Sequence, residues 1–409
     1  MNLEGEKVIQ NNEHISKFWG YLYFIWGLLV LFQETVNYSF PRENTIIKIV
    51  NVIILIALIV YEIIQLEVVR FKISISSLCC IILFLMLGVL ASYHQYGLTF
   101  LVAFLFMIVG SNVDFNVILK SFLGFSSLIL IGTIILNKLG KIPDYYIVGS
   151  SQRIRSALGF SYYSFAAQIT FYFISAYLVY RNKRITYIEI TLLAILNIYV
   201  YYYTNTRSPF ILTSFFLIYC LCKKIFHFDG IIYTSLGKYI VSFIFPLCFI
   251  ILCWITFKLP PSIFERLNTA LSSRLVLNIN GLQMWGVHLW GQKINFYTID
   301  SFGRAYSNYN YVDSAYFQNL IINGGVFFSI IMLFFTLLCL KVVERKKDTL
   351  AVALSIIAMH AMFDPQLIWP WFSPFFLLIG SLFPLNQQLN KRKSKQGKQY
   401  YEGHKKLSL

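Results

Sequence analysis

The chain has 409 residues, 57% of them hydrophobic and 13% charged, with a formal net charge of +16 and a mean hydropathy of +0.65. A water-soluble fold would have too little polar surface to cover so much apolar side chain, which excludes a soluble globular domain and points to an all-α polytopic membrane protein. The basic excess then reads as a topology signal and an attraction to anionic lipid, with no nucleic acid implied.

A helix needs roughly 20 apolar residues to cross the hydrocarbon core. On that measure the chain predicts spans over Lys17–Thr35, Ile46–Leu66, Ser74–Ser92, Leu98–Val113, Asn116–Leu136 and Phe160–Tyr180. The second half adds Ile185–Tyr203, Pro209–Leu221, Lys238–Phe257, Ala315–Leu340, Thr349–Met362 and Leu367–Leu385, about twelve helices in all. With both termini in the cytoplasm, 22 of the 34 Lys and Arg fall on the inner side, including RNKR at Arg181–Arg184, ERKK at Glu344–Lys347 and the tail. No cleavable leader is read at the N-terminus, which carries Glu4, Glu6 and Glu13. The seven cysteines sit mainly in or beside apolar runs without CxxC spacing, as small core residues do. One integral domain, 1–386, is therefore expected, followed by a disordered basic cytoplasmic tail, 387–409.

The other 12 basic residues fall on the outer side, and many of them are arginines. Arg153 and Arg155 precede the sixth span, Arg207 sits in the short turn NTRSP, and Arg266, Arg274 and Arg304 belong to a long outer loop, 258–314. Guanidinium offers a fixed fork of donors that fits a diphosphate, whereas surface arginines also snorkel from helix ends. A charge in a turn as short as that of Arg207 is costly at the membrane surface unless paired, and Arg274 is read the same way. Within the loop, the segment from Pro261 is expected to form an amphipathic helix on the membrane surface, with Gly281 as a stop. Beyond it Trp285, Trp290, Tyr297, Tyr306, Tyr309 and Tyr311 form an aromatic cluster suited to sugar rings, or to an interfacial belt. His288 and Asp313 are the outer-face groups able to take a proton, although Asp313 also suits an N-cap of the tenth span. His360 and Asp364, in MHAMFDPQLIWPW, are ionisable groups in an apolar setting; a histidine inside a span more often hydrogen-bonds a neighbouring helix, and support of a cavity from behind is the alternative. There is no P-loop, no DxD motif and no zinc spacing, so neither a cofactor nor a metal is expected.

Four local patterns carry a resemblance: RIRSALGFSYYSFAA at 153–167, TNTRSPFILT at 204–213, SSRLVLNINGLQMW at 272–285 and VDSAYFQNLIINGGVFFSI at 312–330. With the helix count and the long outer loop, the chain resembles the Wzy-type polysaccharide polymerases, which are related in layout to the O-antigen ligases. Ligases usually place a His-Asn pair where this chain has Asp313 and Ser314, and the departure favours a polymerase. The resemblance implies a metal-independent glycosyltransferase in the bacterial cytoplasmic membrane, acting on an undecaprenyl-diphosphate-linked oligosaccharide at the outer leaflet. It implies membrane lipid as a partner and admits a chain-length regulator and a flippase beside it. The expected roles are Arg207 and Arg274 on the diphosphate, Arg153, Arg155 and Arg304 in support, His288 as acceptor base, and Asp313, Trp285, Trp290 and Tyr311 on substrate. A ligase and a lipid-linked oligosaccharide flippase are the rival readings.

Overall fold

The computed structural model describes residues 3–38, 43–69, 75–148, 154–297 and 309–383. The expected tail, with Arg153 and Arg304, lies outside the described residues. The chain is mainly helical: α1 (Leu3–Thr35), α2 (Glu43–Val69), α3 (Ile75–Ala91), α4 (Leu98–Val109) and α5 (Phe115–Lys138) make the first half. A hairpin follows, β1 (Tyr146–Val148) paired antiparallel with β2 (Ile154–Ser156). Then come α6 (Phe165–Arg181), α7 (Tyr187–Thr204), α8 (Arg207–Phe226), α9 (Ser235–Ser242), α10 (Ile244–Phe257), α11 (Pro261–Ala270) and α12 (Arg274–Trp285). The last three are α13 (Ala315–Ile322), α14 (Gly324–Glu344) and α15 (Asp348–His360). Among the described residues five helices are long and apolar enough to cross a membrane, or six if the bent pair α9–α10 is one span. Their exposed faces are apolar, as on Ile53, Ile56, Ile131 and Ile250, while aromatic side chains such as Trp19, Tyr23 and Trp26 fill the centre.

Several expected spans are broken, and the sequence supplies the reasons. The ninth bends by 72° between α9 and α10. Pro246 has no N–H to give and its ring would meet the carbonyl four residues back, so the helix stops at Phe243 and restarts. The tenth is split at Asn323 into α13 and α14, where Gly324 takes φ +91°. The run expected as a helix over Leu367–Leu385 is instead, as far as it is described, to Phe383, irregular chain with two 3₁₀ segments, Gln366–Ile368 and Pro374–Leu382. Prolines at 365, 370 and 374 deny it an α-ladder. It is buried all the same: the Tyr23 hydroxyl donates to the Pro370 carbonyl at 2.7 Å, and Trp371 packs edge-on against Trp26. The helix expected from Pro261 is two helices, because Ser272 and Ser273 both lie at positive φ. Gly281 does not end it; α12 continues to Trp285 and Gly286.

Cross-contacts sort the helix ends into two groups. At one end lie basic residues: Lys223 pairs with Asp348, Lys224 donates to the Ile185 carbonyl at 2.8 Å, Thr349 donates to Asn182 at 2.8 Å, and Lys346 lies over Tyr233. At the opposite end, Ser161 N–H donates to the Thr35 carbonyl, Lys138 lies over the Tyr203 ring, and Ala315 N–H donates to the Ala361 carbonyl. The candidate site is built at this second end.

Candidate functional site

The site collects residues from four places in the chain around the guanidinium of Arg274. The left-handed turn at Ser272 and Ser273 ends α11 and restarts the chain as α12 with Arg274 as its first residue. Leu275, Asn278 and Gly281 form the buried face of α12, which packs on α10 and α13. Gly281 permits the approach, since a Cβ there would lie 2.5 Å from Val312 Cγ2. Val312 is buried and immediately precedes Asp313, so this contact sets α12 against the segment that carries the carboxylate.

Arg274 faces two acids. Its Nε stands 3.8 Å from Asp313 Oδ2 and its Nη2 stands 3.6 Å from Asp364 Oδ1. Neither separation is a hydrogen bond, so the donors of the fork are not committed to the carboxylates. Burial opposes the charge on Arg274, but Asp364 and Asp313 outweigh it and hold its pKa above the ordinary value. Burial is also the main force on Asp313, pushing its carboxyl up to about 6 while Arg274 pulls the other way. Asp313 does not cap α13: that role belongs to Ser314, whose hydroxyl accepts from Phe317 N–H. Asp313 is left to the arginine.

The other members come from the hairpin, α6 and α15. Asp364 is almost fully buried, and its Oδ1 accepts a 2.7 Å bond from the Gln168 side chain on α6. His360, one turn before Asp364, brings Nδ1 to 3.3 Å from Oδ2. The hairpin register puts Arg155 opposite Ile147, and its guanidinium lies 4.6 Å over the Tyr163 ring, with Nε buried and making no hydrogen bond among the described residues. Tyr162 and Tyr163 touch through their hydroxyls at 3.0 Å, within electrostatic reach of Arg274, and Tyr162 also of Asp313 and Tyr309. The left-handed Gly159 fixes the turn before them; a Cβ there would meet Asn137 at 2.8 Å. Tyr311 shares a hydrogen bond with Gln318 and feels the Asp313 charge. Phe296 links its ring edge-on to Trp285, at 4.9 and 5.5 Å between ring centres.

The structure therefore brings Arg274, Asp313, Arg155 and Tyr311 together, with Trp285 one ring further out. Three expected site residues stand apart. Arg207 is exposed at the first turn of α8 and makes no ion pair among the described residues. His288 is exposed in the chain after α12; its backbone carbonyl accepts from Gly325 N–H, and its side chain has no contact with Arg274 among the described residues. Trp290 is 63% exposed two residues later. Arg274, expected on a helix lying at the membrane surface, is mostly buried and faces Asp313 and Asp364. Gln168 and the Tyr162–Tyr163 pair were not singled out from sequence; a glutamine within an apolar run, and two tyrosines close after Arg155, were the available signals. Among the described residues no group of three or more His, Cys, Asp or Glu is placed to hold a metal ion. No family model, curated protein or solved structure matches this chain.

Proposed function

We propose that the protein is a membrane glycosyltransferase that polymerises undecaprenyl-diphosphate-linked oligosaccharide repeat units into a surface polysaccharide. In this reading the chain has about twelve membrane segments, counting the irregular Pro365–Phe383 stretch as one. The basic end faces the cytoplasm and the Arg274 end faces outward. The observation that carries the proposal is a mostly buried guanidinium whose donors are not committed to the carboxylates it faces, beside a carboxyl group that burial pushes up to about 6 and a group of tyrosines. Charge-assisted contacts from Arg274, with Arg155 as its neighbour across Tyr163, suit a diphosphate leaving group, and tyrosine faces suit sugar.

Asp313 replaces His288 as the acceptor base. It takes the proton from the acceptor hydroxyl of the incoming unit as that oxygen attacks the anomeric carbon of the growing chain and the diphosphate departs. Protonation of Asp313 also cancels one of the two negative charges facing Arg274, so the cation is freed for the diphosphate as negative charge develops there. Arg207 remains a second anion contact in this reading. A cation at a helix N-terminus is disfavoured by the dipole, and a bound phosphate would relieve it.

The bent α9–α10 pair and the broken α13–α14 pair are features that a flippase or transporter would also use. Against that, the Arg274 cluster sits at one end of the bundle rather than at its middle. The deciding experiment is deletion of the gene with analysis of lipid-linked glycan. Accumulation of a single repeat unit on the outer leaflet supports polymerase; finished but unattached polymer means ligase; units trapped on the inner leaflet mean flippase.

A further inference from the structure

We propose that Gln168 and His360 are positioning residues, which hold the Arg274 guanidinium in place through the carboxylate of Asp364. The inference rests on the reading of Arg274 as the diphosphate contact and assigns the groups that aim it.

Asp364 is hydrogen-bonded at one oxygen and faced by His360 at the other. Oδ1 accepts from the Gln168 amide at 2.7 Å and also faces Arg274 Nη2 at 3.6 Å. Oδ2 faces His360 Nδ1 at 3.3 Å, close enough to bond but not aligned to do so. Both partners are set by α6. Gln168 is one turn into that helix, and the His360 ring lies 4.3 Å from Phe171 and edge-on to Tyr172 at 5.7 Å. Gln168, His360 and Asp364 are at most 3% exposed, so solvent offers none of them an alternative partner. The two acids flanking Arg274 thus differ in kind. Asp313 is the more exposed of the two, on an irregular segment, and changes charge during the reaction proposed above. Asp364 is fixed from behind by a helix. A cation that must meet a diphosphate at one position needs one rigid counter-ion, and catalytic contacts that are long in the free protein commonly tighten on binding.

The test uses the full-length protein in lipid nanodiscs and two readouts. The first is modification of Arg274 by phenylglyoxal, followed by mass spectrometry with Arg181 as an internal reference; it needs no substrate. The second is kcat and KM for a lipid-diphosphate-linked repeat unit. His360→Leu and Gln168→Leu are expected to raise the modification of Arg274 several-fold, leave Arg181 unchanged, and lower kcat/KM about tenfold or more, mainly through kcat. His360→Asn, whose amide nitrogen falls near the position of Nδ1, is expected to keep both readouts close to wild type. Unchanged modification of Arg274 in both leucine variants overturns the proposal, as does a His360→Asn protein as impaired as His360→Leu. If a leucine variant unfolds the bundle, seen as an equal gain at Arg181, Gln168→Met carries the same decision. If the wild-type protein turns over no lipid diphosphate, the polymerase reading fails while the modification experiment still decides the positioning role.

Discussion

Replacing Arg274 removes the one cation that faces Asp313 and Asp364 among the described residues. At 3.8 and 3.6 Å, with an effective dielectric near 20, each carboxylate attracts the guanidinium by about 4.5 kcal/mol before desolvation is counted. Burial of all three groups offsets much of that, and breaking a buried pair typically costs about 3–5 kcal/mol. Arg274→Ala is expected to fall at the lower end, near 3 kcal/mol, because one of the two acids left behind can take up a proton. Loss of polymer in that variant would say little, since folding and chemistry fail together. Arg274→Lys separates them. It restores a unit charge between the acids but offers a single ammonium in place of a planar fork. If Arg274 grips the departing diphosphate, the lysine variant should fold at nearly the wild-type melting temperature while turnover stays down by about 10²–10³-fold, the range for removing one preorganised donor. Melting in detergent and the chain-length ladder of cell-surface glycan, scaled to protein amount, measure the two effects. An Arg274→Lys protein that makes a normal ladder would falsify the diphosphate assignment and reduce the arginine to a clamp between α12 and α15.

Asp313 must be ionised to take a proton, and burial has moved that requirement from the usual carboxylate range up to about 6. Polymerisation in proteoliposomes should therefore fall as the outer pH drops through about 6, and Asp313→Asn should be slow with that acid limb absent; an unchanged limb removes Asp313 as the base. Gly281→Ala drives a methyl to within 2.5 Å of Val312 and should cost about 1–3 kcal/mol by overpacking, with turnover falling as Asp313 shifts away from Arg274. Normal stability and a normal ladder would show that α12 does not set this spacing. His288→Ala is expected to leave chain length and rate unchanged, because the ring is exposed and has no contact with the Arg274 cluster among the described residues; a large loss of rate in kinetic assays would restore it as the base. Arg207→Ala should raise KM more than it lowers kcat, as expected of a contact made before the transition state; an unaltered KM would leave Arg207 a surface residue.

The long apolar helices were legible because the length of an apolar run can be counted directly, and α2, α3 and α5 lie close to where that count puts them. The departures come from residues that a hydropathy average hides. Pro246 is apolar and so extends a span on paper, yet in the backbone it forces the 72° bend, and three prolines turn the last apolar run into 3₁₀ chain that still packs against Tyr23 and Trp26. The two left-handed serines before Arg274 carry no such warning, since serine has no residue-type preference for that conformation. Arg274 itself could be picked out, because a guanidinium in an apolar neighbourhood demands a partner. Which partner could not be read: Asp364 lies 90 positions further on, and only the packing of α15 against α6 and α10 brings it back to the start of α12. His288 illustrates the converse. Its chemistry suits a base, but the carbonyls of 288 and 289 cap the first amides of α14, which holds that stretch of chain against α14 and leaves the ring exposed. Side-chain chemistry nominates a base; the backbone partners decide whether it can reach the substrate, and here they favour Asp313.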